Sequence, residues 1–206
     1  MTASMLKNMT KLSVTLAMFA TAGTMVLVLT FQFTYARIQQ NERDAMLMML
    51  NQLVLPGSYD NALLEDTRQA QDAALLGVPE PVTMYRARNQ QQPVAVIIAS
   101  AAPNGYNGLI RLLVGIQPDG TLLGVRVTAH TETPGLGDLI EAKRSPWILA
   151  FAGKSLDNPG QVGWAVKKDG GEFDQFTGAT ITPRAVVRGV YNTLQYYQQH
   201  QAEIWQ

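Results

Sequence analysis

Residues 12–36 carry no charged side chain, and the run is mostly apolar with interspersed hydroxyl residues able to bond their own helix backbone. At about 1.5 Å rise per residue, some 20 residues cross a bilayer core of roughly 30 Å, so this run is predicted to form a transmembrane helix. Beyond it, Ala45, Met46, Met49, Leu50, Leu53 and Val54 recur at helical spacing, with Gln39, Gln40, Glu42, Arg43 and Asn51 among the intervening polar positions. That pattern predicts a connecting helix over 37–57, stopped by Pro56-Gly57. Residues 61–77 read as a weaker helical or irregular stretch, ended by Gly77 and the breaker Pro79-Glu80-Pro81.

Four runs rich in Val, Ile and Leu follow, at 82–87, 94–100, 109–117 and 122–128, each bounded by turn residues. Pro103-Asn104-Gly105 and Pro118-Asp119-Gly120 supply short connections, so the runs form an antiparallel meander. Arg111 and Arg126 interrupt these strands and mark either a ligand-facing surface or an exposed sheet face. Helical pieces are expected at 136–143 and 146–152, then a hairpin of 162–168 with 172–176 turned by Asp169-Gly170-Gly171. The chain closes on an amphipathic helix with Thr182 as N-cap, Pro183 at its first position, and Val186, Val187, Val190, Leu194 and Tyr197 on the buried face. The predicted fold class is α+β: one N-terminal transmembrane helix, then an antiparallel-sheet domain with a C-terminal helix.

Charge sharpens this division. The chain has 16 basic and 16 acidic residues, but the first 36 positions hold only Lys7 and Lys11, leaving the remainder at 14 basic against 16 acidic. The two lysines precede the apolar run without any acid, so residues 1–11 are expected to be a cytoplasmic tail and 58–206 an exported domain. Thr34-Tyr35-Ala36 matches a signal-peptidase site poorly, and the run is therefore read as a retained anchor. A mildly acidic domain argues against nucleic acid as a partner. The chain has no cysteine, which excludes disulfides, thiolate-held iron–sulfur clusters and cysteine nucleophiles. Any redox role must rest on another kind of cofactor.

Hydrolytic constellations are weak, since His130 is the only histidine outside the polar C-terminal tail, and no Walker or dinucleotide loop is present. His130, Glu132 and Asp138 lack metal-ligand spacing. Two segments stand apart. His130-Thr-Glu-Thr-Pro-Gly-Leu-Gly-Asp138 follows a strand, and its glycines let backbone approach a planar ligand. Asp174-Gln-Phe-Thr-Gly-Ala-Thr180 runs into the start of the last helix, where free N–H groups and the helix dipole favour a phosphate. Read on those grounds alone, it is more readily a plain Thr-rich helix start.

The second segment resembles the flavinylation motif Asp-x-x-Ser/Thr-Gly-Ala-Thr of FMN-binding domains, and Glu132-Thr-Pro-Gly-Leu-Gly137 resembles the second signature of that domain. Over essentially its whole length the chain resembles the G subunits of Rnf (Rsx) ion-translocating oxidoreductase complexes. The resemblance implies FMN held covalently by a phosphoester to Thr180. It further implies that Asp174 serves recognition by a flavin transferase, that Thr177, Gly178 and Ala179 shape the acceptor turn, and that Glu132, Thr133, Gly135, Leu136 and Gly137 line the flavin. Trp147 is either a further flavin contact or an ordinary core aromatic. The implied setting is the bacterial inner membrane, with a single pass through lipid, a periplasmic domain, and the other complex subunits as partners. The implied role is electron relay in a complex that couples electron transfer between ferredoxin and NAD(H) to ion movement. Two other roles stay open: a membrane-tethered flavin-free scaffold or ligand-binding module, and the related flavin subunit of a sodium-pumping quinone reductase.

Overall fold

The computed structural model describes residues 3–206; the first two residues of the expected 1–11 tail lie outside them. The chain divides into two units, one up to Met46 and the other from Leu47 onward. In the first, the apolar run lies within an uninterrupted helix, α1 (Ala3–Leu50), and Phe19, Leu27 and Phe33 are exposed along it. Thr15, Thr21, Thr24, Thr30 and Thr34 each donate their hydroxyl to the carbonyl four residues back. Every one of these hydroxyls is thus satisfied within its own helix, as a hydrocarbon environment demands. Among the described residues this is the one helix long and apolar enough to cross a membrane.

α1 runs through the expected 12–36 span and on into the expected 37–57 segment, ending at Leu50, six residues before Pro56. The residues just after it pack on the sheet of the second unit. Leu53 sits over a notch in the sheet made by two glycines: a Cβ at Gly115 would lie 3.2 Å from Leu53 Cβ, and one at Gly124 would lie 3.3 Å from Leu53 Cδ2. Arg126 holds the turn by donating from Nε to Gln52 Oε1 (3.0 Å) and from its terminal nitrogen to the Gln52 carbonyl (3.2 Å). Arg126 is therefore a clasp on the incoming chain.

The sheet is a five-stranded antiparallel meander in sequence order: β1 (Thr67–Ala70), β2 (Val82–Asn89), β3 (Gln92–Gly105), β4 (Gly108–Ile116) and β5 (Leu122–Ala129). The four apolar runs became β2 to β5. Met84, Ile98, Val114 and Val125 form one row across the sheet in register. Side chains of a strand alternate between faces, so Ile97 and Leu113 point opposite to that row, yet both are buried. Burial on both faces is why these strands read as continuous apolar runs.

Three expectations about this region are corrected. Within 61–77 the chain forms the edge strand β1 and a short helix, α2 (Ala73–Leu76); Thr-Arg-Gln-Ala is too polar and short to announce a strand. Pro103-Asn104-Gly105 belongs to β3 and lies at a register irregularity, where a proline is tolerated, so that Tyr106 and Asn107 make the turn. The segment expected to be a hairpin forms 3₁₀ turns at Gln161–Gly163 and Lys167–Asp169 with one parallel bridge, Val166 to Phe173. Trp164 and Phe173 both turn into one aromatic cluster with Phe151, which extended antiparallel pairing would not require.

The last helix, α3 (Ile181–Ile204), lies on the β3 and β4 face with Val186, Val187, Val190, Leu194 and Tyr197 buried, as the periodicity predicts. Its start differs: Thr180 occupies the N-cap position, Thr182 turns inward, and Pro183 falls within the first turn. Gly189 allows close approach, since a Cβ there would lie 3.0 Å from Ala102 Cβ, and Thr193 donates to Ser100 Oγ at 2.8 Å. At the far end Arg68, Arg86 and Arg88 donate to the carbonyls of Glu203, Ile204 and Trp205, where the helix dipole is negative. Asp66 pairs with Arg86 (2.6 Å) and Arg88 (3.2 Å) and holds both in place. Asp66→Ala is expected to cost about 2 kcal/mol, because it leaves two half-buried guanidinium groups with carbonyl acceptors but without their carboxylate. Urea unfolding should show a lower midpoint at unchanged slope.

Candidate functional site

After β5 the chain crosses the end of the sheet as a loop stitched to the β3–β4 turn. Thr131 donates to the Asn107 carbonyl (2.8 Å), and the Asn107 amide donates to Thr133 Oγ1 (3.2 Å). Gly135, with φ of +78°, donates its N–H to Asp138 Oδ1 at 2.7 Å, and the Thr133 carbonyl accepts from Gly137 at 3.0 Å. The buried carboxylate of Glu132 joins this loop to α3. Its Oε1 accepts from Asn107 N–H (3.1 Å) and its Oε2 from the Thr182 hydroxyl (2.6 Å). Gly137 must lack a side chain, as a Cβ there would lie 2.7 Å from Glu132 Oε2.

Behind the loop, Glu132 N–H donates to His130 Nδ1 (3.0 Å), which leaves Nε2 to carry the ring proton toward Glu141 Oε1 at 2.8 Å. His130 thereby acts as a strut between the loop backbone and Glu141. Lys143 Nζ lies 2.9 Å from Glu141 Oε2, an ion pair that serves an oxygen otherwise buried without a partner.

The acceptor segment approaches from the other side. Gly178, at φ +81°, turns the chain between Phe176 and Ala179, with the Leu136 methyl 3.6 Å from where its Cβ would be. Loop and turn together wall a groove of about 640 Å³. Glu132, Thr133, Leu136 and Gly137 stand on one side; Gly178, Ala179, Thr180, Ile181 and Thr182 stand on the other. Tyr106 and Lys168 complete it. The two segments singled out in the sequence, over forty positions apart, therefore meet.

Four of the singled-out residues lie outside this lining. Gly135 shapes the loop, and Thr177 is exposed just before the turn. Asp174 pairs with Lys167 (2.6 Å) at the surface, and its carbonyl accepts from Trp147 Nε1 (2.7 Å). Trp147 packs edge-on against Phe151 and Phe176 and so supports the acceptor turn from behind. Sequence reasoning misses Lys168 and Tyr106. Each is an exposed side chain on a turn, where periodicity carries no signal.

Thr180 is half-buried and has helical backbone angles, but its hydroxyl makes no capping hydrogen bond. Ile181 and Thr182 present N–H groups without intrahelical partners, and Pro183 has none to present. Arg184 is engaged by Asp169, so Lys168 is the cationic side chain of the groove. A nucleophilic hydroxyl, two free donors, a helix dipole and an ammonium suit a phosphate. The groove volume falls within the range of roughly 300–1,000 Å³ typical of small-molecule sites, and its lining mixes apolar side chains, Leu136, Ala179 and Ile181, with polar ones.

Residues 105–195, which include every residue lining the groove, match the family model of an FMN-binding domain. Residues 3–53 match the model of the RnfG N-terminal region. A Pseudomonas aeruginosa protein, named as the G subunit of an ion-translocating oxidoreductase complex, is 52% identical over 194 residues, covering 94% of this chain and 89% of its own length. Proteins of the same name from Vibrio cholerae (46% identical; 97% and 95% covered) and Shewanella loihica (45%; 96% and 93%) are similar over nearly the whole chain. The chain belongs to the family of G subunits of ion-translocating oxidoreductase complexes.

The bond from Lys143, opposed by burial and helped by the bond from His130, holds the Glu141 carboxyl below its ordinary value of 4.5. A depressed carboxyl contributes stability above its unfolded pKa and loses it as pH falls through the folded one. Glu141→Gln should therefore lower the melting temperature at pH 7, and its deficit should narrow as the pH drops below 4.5. Melting curves of both proteins across that range check this.

Proposed function

We propose that the chain is the membrane-anchored electron-transfer subunit of an ion-translocating oxidoreductase complex and carries FMN as a phosphoester on Thr180. One observation carries the attachment: the Thr180 hydroxyl stands in the groove at the start of α3, released from capping, among donors suited to phosphate. The hydroxyl attacks the flavin phosphorus of a donor bearing a pyrophosphate, bound to a flavin transferase. The Oγ–P bond forms, the anhydride P–O bond breaks, the nucleoside phosphate leaves, and the threonine proton passes to solvent or to a base of the transferase. When bound, FMN supplies one-electron acceptance and donation. The groove residues orient the ring through Glu132, Thr133, Leu136 and Gly137, and a covalent link prevents loss of the flavin from an exported domain.

The remaining elements of the reading follow the family. α1 anchors the chain in the bacterial inner membrane with Lys7 and Lys11 on the cytoplasmic side and the domain in the periplasm. Its partners are lipid and the other subunits of the complex, and the complex couples electron exchange between ferredoxin and NAD(H) to ion movement.

The test is co-expression with a flavin transferase, denaturing electrophoresis and intact mass. A fluorescent band with the mass of one esterified FMN is expected, and Thr180→Val should abolish both while the protein still folds. A dark wild-type band with unmodified mass contradicts the proposal. A label that survives the substitution moves the acceptor elsewhere.

A further inference from the structure

We propose that Glu132 is a positioning residue that selects Thr180 as the acceptor by restraining Thr182, an assignment that rests on the reading of Thr180 as the flavin site. Three threonines stand within six positions, and their environments differ sharply. Thr177 is exposed on the approach to the turn, Thr180 is half-buried in the groove, and Thr182 is 0% exposed with its hydroxyl donated to Glu132. Residues two apart on a helix point about 200° from one another. Thr180 already has helical backbone angles, φ −69° and ψ −29°. Holding Thr182 against Glu132 in the groove wall therefore fixes the direction in which Thr180 presents its own hydroxyl.

The restraint is stiff at the Glu132 end. Its Oε1 is held by Asn107 N–H at 3.1 Å, and a Cβ on Gly105 would stand 2.6 Å from that oxygen. On the opposite side a Cβ on Gly137 would stand 2.7 Å from Oε2. Two glycines thus fit closely around one carboxylate, and the O–H···O⁻ bond of 2.6 Å to Thr182 has the length of a strong charge-assisted contact. The end of the β3–β4 hairpin is by this route tied to the first turn of α3. Thr182 is also withdrawn as a competing nucleophile.

The test measures the rate of FMN incorporation into the full-length apo protein by a flavin transferase and its flavin nucleotide donor, with the modified peptide mapped. Folding is followed by near-ultraviolet circular dichroism. Glu132→Ala and Thr182→Val should each slow incorporation at Thr180 about tenfold, the scale of one lost hydrogen bond to a charged group. The double variant should be no slower than either single one, because both remove the same bond. Glu132→Gln, whose amide can accept from Asn107 and donate to Thr182, should retain most of the rate. Should Glu132→Ala fail to fold, the near-isosteric Thr182→Val carries the test together with Glu132→Gln. Wild-type rates in the variants that fold, or additive losses in the double variant, overturn the proposal. A wild-type protein that takes up no FMN at Thr180 overturns the acceptor reading, and this assignment falls with it.

Discussion

One buried carboxylate ties together the parts that make the groove. Glu132 accepts from the backbone of the β3–β4 turn and from a hydroxyl in the first turn of α3, while belonging itself to the loop after β5. A carboxylate nearly out of water is costly unless its oxygens are satisfied, and here both are. Gly105 and Gly137 leave room for it and for nothing larger. Thr131 and Thr133 also bond the loop to the hairpin end, but it is the Glu132–Thr182 bond that extends this directional tie to the helix start, where apolar contact alone would set no position for a hydroxyl.

The rest of the domain gives that junction a rigid base. A meander keeps consecutive strands adjacent, so β3 and β4 lie centrally and accept α3 on one face, with Leu50, Leu53 and Val54 also buried in the domain. The acceptor turn has its own support: Trp147 stacks edge-on against Phe176 and donates to the Asp174 carbonyl, so the residues on either side of Gln175 are held from behind. Three arginines secure the distal end of α3. The helix is thus fixed at both ends, and the groove at its N-terminus lies between two walls that Glu132 joins.

Much of this is legible in the sequence, and the exceptions have physical causes. The charge-free run, four strands and the buried face of α3 appear because burial imposes periodicity or sustained apolarity. β1 escapes because an edge strand of Thr-Arg-Gln-Ala owes its conformation to pairing with β2 and carries no hydrophobic signal. Thr182 reads as an N-cap because Thr-Pro is a common helix start; the tertiary partner Glu132, fifty positions away, overrides that local preference. The motifs marking the groove are visible, whereas Lys168 and Tyr106 reach it from turns whose placement depends on tertiary packing. Sequence leaves open whether Trp147 touches the ligand or the core, and its position against Phe151 and Phe176 gives it packing neighbours behind the turn.

The central claim is that this groove presents Thr180 for a phosphoester with FMN. Phosphorus NMR of the flavin-loaded protein between pH 5 and 8 tests it most directly. A phosphodiester has no ionisation in that range, whereas a phosphate monoester titrates near pH ~6. The account predicts one phosphorus resonance whose position does not change with pH. A resonance that shifts through the titration of a monoester would show FMN held without a bond to the protein and would contradict it.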